Sequence, residues 1–342
     1  MKIRPVGIPL VILCAALPGL SGCGRQTAMG EANSLIILAS EELWTQVEEE
    51  TRAVLEPTIF TTRDEKQYEV SSADPDHPNI ADLKLFRNVI VFGTEDDPLM
   101  LEAADAADQD LAMLEPGRVF QARDVWALTQ TVTAVLLRSG REAESWIAAL
   151  PSVLNAVDTS YREYVFRRMY ATPADTALAA ELGRRFGFYI EVPEVYDRIA
   201  RDLGGGDSLV ILRNDNPDPS ELIRSVLVAW RPNVDSLTRE LALEWRAEID
   251  GTHYNVPQGI DETRSSVVSF LWEGRPALEV TGIWRDEAGN FPAAGPFIVW
   301  LVDCPERTYF VDAWLYSPNR AKYEYMLQLQ EVLGSFRCVT AD

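Results

Sequence analysis

Four apolar segments follow one another near the C-terminus, Ser265 to Trp272, Ala277 to Trp284, Phe297 to Asp303 and Thr308 to Tyr316, with four-residue turns after the first and third and twelve residues after the second. Parallel neighbours would need long crossovers, so this spacing predicts an antiparallel sheet. Upstream, strands are expected at Phe188 to Val192, Ser208 to Arg213 and Leu222 to Trp230, with a turn at Gly204-Gly205-Gly206. A helix from about Ser236 carries Leu237, Leu241, Trp245 and Ile249 at intervals of four. Another, capped by Asn319, turns Tyr323, Met326, Leu327 and Leu333 inward. Helices flanking an antiparallel sheet make an α/β/α sandwich.

The first half has another texture. Leu35 to Ala39 is a short apolar run. Ser40 then offers an N-cap, and Glu41 and Glu42 suit the positive end of a helix that buries Leu43, Val47, Val54 and Leu55 and stops near Pro57. Strands are expected at Lys66 to Ser71, Asn88 to Phe92 and within Val119 to Leu137, with Val132, Ala134 and Leu136 sharing a face. Leu99 to Leu111 reads as helical. Arg141 to Tyr170 is a long helix using Trp146, Ile147, Leu150, Leu154, Val157, Tyr161, Tyr164 and Val165, which Pro151 is expected to kink or split. The whole is α+β: a mixed α/β domain over 34–171, then the antiparallel-sheet domain over 172–342. Thr172 is placed to cap the next helix, with Pro173 in its first turn.

Residues 1–22 carry Lys2 and Arg4, a short apolar run broken by Pro9 and Pro18, and no acid. This is a secretory signal, too short and too proline-rich for a bilayer span of ~20 residues. It closes on Leu20-Ser21-Gly22-Cys23, a bacterial lipobox. Cys23 is therefore expected to be lipidated and to anchor the protein in the cell envelope through a polar tether over 23–33. Gly24 rather than Asp after the cysteine favours the outer membrane over the inner.

Removing the signal takes the chain from 31 basic and 53 acidic residues, net -22, to 29 and 53, or -24. Such a charge excludes nucleic acid as a partner and argues against broad docking on anionic headgroups. The lipid itself is the expected membrane contact, and an envelope protein or glycan the expected further partner. Beyond Cys14 and Cys23 only Cys304 and Cys338 remain, a candidate disulfide in an oxidising compartment. His77 and His253 are the only histidines and neither sits at metal-ligand spacing with a cysteine, so no metal or cofactor is expected.

No catalytic constellation stands out. Asp64-Glu65, Asp96-Asp97 and Asp286-Glu287 are carboxylate pairs of the kind a glycosidase needs, but with 53 acidic residues chance pairs are common. Glu279 and Asp312 each interrupt an apolar strand, and a structural ion pair, with Arg275 and Arg285 nearby, or an outward position explains them best. His253 is read as a turn residue, and Asn214 to Pro219 as a solvated loop. Trp272, Trp284, Trp300 and Trp314, with Phe297, fall on neighbouring strands. Facing inward they are core; lining an open face, two or more could stack on sugar or hold a peptide.

Ser34-Leu35-Ile36, Glu42-Leu43-Trp44, Glu56-Pro57 with Ile59-Phe60-Thr61, Gly187-Phe188, Val192-Pro193, Trp284 and Gly295-Pro296-Phe297 together resemble an uncharacterised family of bacterial lipoproteins, known as a domain of unknown function. The likeness spans roughly 34–336 and brings no catalytic residues with it. The order of elements over 187–336 is also similar to PsbP-like domains, which implies the sandwich fold and little about function. The leading expectation is a non-catalytic binding or assembly protein of the envelope. A carboxylate-dependent hydrolase of envelope glycans is the alternative.

Overall fold

A computed structural model describes residues 25–204, 207–254, 257–286 and 293–339. The signal, the lipobox with Cys23, and the Gly205-Gly206 part of the glycine turn lie outside them.

The expected first domain, residues 34–171, runs β1 (Ser34–Leu38), α1 (Glu41–Leu55), β2 (Thr58–Ile59), β3 (Glu65–Lys66), β4 (Glu69–Ala73), α2 (Ile80–Leu83), β5 (Asn88–Gly93), α3 (Pro98–Ala106), β6 (Val119–Arg123), β7 (Thr131–Leu136) and α4 (Glu142–Met169). Its sheet has the order β4-β1-β5-β7-β6, parallel except for β6. Both faces are covered, which is why β1, β5 and β7 are apolar at nearly every position. Leu35 and Ile37 meet α1 and α4 through Val47, Leu55, Trp146 and Val153, while Ile36 and Leu38 meet α3 through Met100 and Ala103. Val132, Ala134 and Leu136 share the α3 face. Ser40 caps α1, its hydroxyl accepting the Leu43 amide at 3.4 Å.

Two expectations shift on α4. It is not split at Pro151 but runs as one 28-residue helix, with Leu150 and Val153 beside the proline held in the core. Ile147 is exposed, because the buried stripe takes Trp146, Leu150, Val153, Val157, Tyr161 and Val165. The tether also fails as a free linker. Arg25 donates to the carbonyls of Asp124 (2.7 Å) and Val125 (3.0 Å), Ala28 N to Leu128 O (2.8 Å), and Met29 N to Leu85 O (2.9 Å). Residues 25–29 are thus stitched to the first domain.

The expected second domain, residues 172–342, contains α5 (Thr176–Phe186), β8 (Phe188–Tyr189), β9 (Asp197–Gly204), β10 (Asp207–Asn214), β11 (Ile223–Arg231), α6 (Arg239–His253), β12 (Gln258–Ile260), β13 (Ser266–Trp272), β14 (Arg275–Asp286), β15 (Ala294–Asp303), β16 (Thr308–Tyr316), α7 (Tyr323–Gly334) and β17 (Arg337–Cys338). Its eight-stranded sheet has the order β12-β14-β15-β16-β11-β10-β9, with β13 also on β14, and each neighbouring pair is antiparallel. One face packs on α6 and the other on α5 and α7, giving the α/β/α sandwich.

Several local expectations shift. Asp175, not Thr172, caps α5, accepting the Leu178 amide at 2.8 Å. Thr238 caps α6, accepting the Leu241 amide at 3.1 Å. α7 starts at Tyr323 after Lys322, with no side-chain cap from Asn319. The strand expected over Phe188 to Val192 shrinks to β8, which pairs with β17 in a ribbon of its own. β9, a strand rich in charge, was not anticipated.

α7 belongs to both domains. Leu327 is buried in the first domain's core, and the Tyr323 ring stacks on Tyr161 at 5.5 Å. Lys322 Nζ meets Glu65 at 2.7 Å in a nearly buried ion pair, and Arg264 donates to the carbonyls of Thr61 and Thr62.

Candidate ligand-binding site

On the α6 face, strand pairing aligns Arg213, Ser225, Trp314 and Phe297 across β10, β11, β16 and β15. α6 fills part of this face with Ala242, Trp245 and Ile249. Beside its last residue, His253, and the following Tyr254 lies a cavity of about 450 Å³, within the range of small-molecule sites. Ile199, Ile211, Ile223, Trp284, Trp314 and Tyr316 give it apolar walls, and Arg213, Ser220, Ser225, Gln258 and Asp286 add polar groups.

The wall at Trp284 depends on a glycine. Gly295 sits opposite Trp284 in the ladder, and a Cβ there would lie 1.8 Å from Leu315 O and 2.7 Å from Trp284 Nε1. With no side chain in the way, the Trp284 indole crosses β15 and donates to Leu315 O at 3.2 Å. It meets Trp314 edge to face at 5.6 Å, and Tyr254 meets Trp314 at 5.7 Å. Gly282 gives Phe297 the same latitude, since a Cβ there would fall 2.5 Å from the ring. Trp284 and Gly295 of the sequence motif are therefore one structural unit.

A buried ionic cluster adjoins this wall. Arg246 and Asp312 are both fully buried, with Nε 3.1 Å from Oδ2. Tyr254 donates to the same oxygen at 2.8 Å, Arg246 Nη2 donates to Gln258 Oε1 at 2.6 Å, and the Gln258 amide donates to Asp250 Oδ1 at 2.7 Å. Phe297 lies 4.3 Å from the guanidinium carbon. Burial pushes the Asp312 carboxyl above its ordinary range, with Arg246 and Tyr254 opposing. Burial, reinforced by Asp312, raises the Tyr254 hydroxyl well above a free tyrosine, so it stays a neutral donor. The expected ion pair at Asp312 exists, but its partner is on α6. Arg285 pairs with Asp261 instead, and the half-buried Glu279 accepts the Trp300 indole N–H at 2.8 Å.

Polar capacity is left over here. Among the described residues, Ser225 Oγ and Asp312 Oδ1 are buried with no hydrogen-bond partner. Trp314 Nε1 makes no hydrogen bond of normal geometry and has only a weak electrostatic contact with the Tyr254 hydroxyl. Buried polar atoms are almost always satisfied, so such a cluster beside a cavity marks this as the candidate site.

The four tryptophans do not form one platform. Trp272 and Trp300 pack together at 4.9 Å on the α7 face, where Trp272 donates to Phe336 O at 2.9 Å. Trp284 and Trp314 occupy the α6 face, and of the four only Trp272 is partly exposed. Cys304 and Cys338 are joined as a disulfide, with Cα atoms 5.9 Å apart. His253 is the last residue of α6 rather than a turn residue, and it lines the cavity. Asp97 caps α3 and Glu65 pairs with Lys322, so those carboxylates are structural. Among the described residues no three His, Cys, Asp or Glu side chains gather as metal ligands.

Ser225, Tyr254, Arg246 and Tyr316 were not singled out from the sequence. Tyr316 carried a usable signal, because period two places it on one face with Asp312 and Trp314. Ser225 and Arg246 carried none.

The family described as "Domain of unknown function (DUF4837)" matches residues 176–335, from the start of α5 to the end of α7. The match leaves out the first domain, where the sequence resemblance had also been drawn. No curated protein matches. Among solved structures, a crystal structure from Bacteroides thetaiotaomicron VPI-5482 aligns at 9% identity over 45% of this chain and 46% of that one, TM-score 0.27. The alignment thus spans less than half of that protein. The solution structure of cyanobacterial PsbP (CyanoP) from Synechocystis sp. PCC 6803 aligns at 12% identity over 44% of this chain and 86% of that one, TM-score 0.29. Similarity this low carries no functional argument. The residues that build the cavity fall within 176–335, the part of this chain that matches a domain of unknown function.

Proposed function

We propose that this chain is a lipid-anchored envelope protein that binds, without chemistry, a small amphipathic organic molecule in the cavity at the end of α6. The observation that carries the reading is Ser225: a 1%-exposed hydroxyl without a partner, in the wall of a mostly aromatic and aliphatic cavity. An apolar ligand body would pack against Trp314 and Ile223, and one polar group would satisfy Ser225. The anchor rests on Leu20-Ser21-Gly22-Cys23, with outer-membrane placement favoured by Gly24. No helix among the described residues is long and apolar enough to cross a membrane. A glycan hydrolase would need two carboxyls facing across the cleft, and among the described residues the lining offers Asp286 alone.

The test uses anilinonaphthalene sulfonate, an amphipathic fluorescent probe. Wild type is expected to bind it with quenching of tryptophan emission. Ile223→Trp fills the cavity and should abolish binding while thermal unfolding remains cooperative. Ser225→Ala should weaken binding several-fold, about one hydrogen bond's worth. Probe binding by Ile223→Trp equal to wild type would overturn the assignment.

A further inference from the structure

We propose that the amino-terminal edge of the first domain's parallel sheet lies directly on the bilayer, with Met29 and Leu128 at the interface and a cluster of arginines over lipid phosphates. The proposal rests on lipidation at Cys23 and adds an orientation to it. Cys23 precedes Arg25 by two residues, so the acylated Cα is at most about 7 Å from that of Arg25. Arg25 is already fixed to the Asp124 and Val125 carbonyls, and Ala28 and Met29 are tied to Leu128 and Leu85. The polar segment that would have let the body float is therefore used up in contacts. The β6–β7 hairpin is held within a few residues' reach of the lipid chains.

The chemistry of that edge suits a headgroup layer. Leu128 is 41% and Met29 38% exposed, and both belong to the stitched segment or its hairpin partner. Beside the hairpin, a depression bounded by Asp124, Thr129 and Gln130 gathers Arg87, Arg123, Arg167 and Arg168. Arg123 pairs with Glu163 and Arg168 with Glu324, but Arg167 has no acidic partner among the described residues. In a chain of net charge -22, four guanidinium groups against Asp124 in the lining and the ion partners Glu163 and Glu324 leave a local positive excess. Guanidinium forks suit phosphate oxygens. The lipid anchor and a basic face would act together, where composition alone suggested the anchor by itself.

The experiment uses the full acylated chain in vesicles of phosphatidylethanolamine and phosphatidylglycerol, with a nitroxide at Leu128→Cys or at Ser139→Cys. Ser139 follows the opposite end of β7, roughly 20 Å away at strand rise. The label at 128 should be shielded from a water-soluble relaxation agent and open to a lipid-soluble one, and the label at 139 the reverse. Arg25→Ala should leave acylation and co-sedimentation intact and raise water access at 128 to the level at 139. Equal water access at both positions in an acylated, co-sedimenting protein overturns the docking face and leaves the anchor standing. Absence of the acyl mass on Cys23 overturns the anchor reading and this one with it.

Discussion

Along β16 the odd-numbered side chains, Tyr309, Val311, Ala313 and Leu315, enter one core, and the even-numbered ones, Phe310, Asp312 and Trp314, enter the other. The odd face is the more apolar, with the Tyr196 hydroxyl as its own unpartnered buried group. Phe188 is fully buried among Phe186, Trp230, Tyr309 and Phe336, α5 and α7 cover it, and the disulfide holds β17 beside it. The even face contains a buried ion pair, unpartnered polar atoms and a cavity. The difference teaches that one sheet can keep one side almost wholly apolar and gather a buried ion pair on the other. Burying that pair costs stability, and the apolar packing offsets the cost.

The sharpest way to break this comparison is Asp312→Ala. It leaves the Arg246 guanidinium fully buried without its counter-ion, and unfolding in urea should show a loss of about 3–5 kcal/mol. A loss under about 1 kcal/mol would mean that the pair does not hold the even face together. The apolar face is tested by Cys338→Ala. Opening a bridge between residues 34 apart in sequence should cost about 2–4 kcal/mol, with probe binding in the opposite-face cavity unchanged. Thermal unfolding without reductant reads the first effect, and fluorescence titration the second.

A smaller effect is expected where α7 joins the domains. Asp158 accepts from Gln67 (2.7 Å), Tyr68 (3.0 Å) and Tyr323 (2.8 Å) and pairs with Arg162 at 2.6 Å. Burial works to raise its pKa, but Arg162 and the tyrosine hydroxyls outweigh it and hold the carboxyl below its ordinary 3.8. A group whose pKa is lower folded than unfolded contributes fully above the unfolded value and loses that contribution as pH falls through the folded one. Asp158→Asn should therefore cost roughly 1–3 kcal/mol at neutral pH, shrinking as acid takes the pH below about 3.8. A wild-type advantage that stayed constant to pH of about 2 would show that the charge at Asp158 does not stabilise the junction.

Much of the architecture was legible because it follows from near neighbours in sequence. The apolar runs between turns marked β10, β11 and β13 to β16, and Ser40 marked the start of α1. β9 escaped because it is the outer strand of the sheet, and an edge strand tolerates residues such as Asp197 and Arg198 that an interior one would not. The helix through Pro151 escaped because tertiary clamping outweighed a local rule.

Taken alone, the sequence determined the α+β class and the alternation that separates the two faces of the sheet, and its Leu20-Ser21-Gly22-Cys23 motif is the ground for the lipidation expected at Cys23. Periodicity, turn residues and signal patterns are properties of a few consecutive positions, so they survive without the fold. Only the tertiary structure decided that Arg246 answers Asp312, that Trp284 joins Trp314 and not Trp300, that Ser225 lines a cavity, and that residues 25–29 bind the first domain. Each of these joins segments far apart in sequence. Their meeting is set by ladder register, by the place where α6 ends, and by a glycine small enough to let an indole pass.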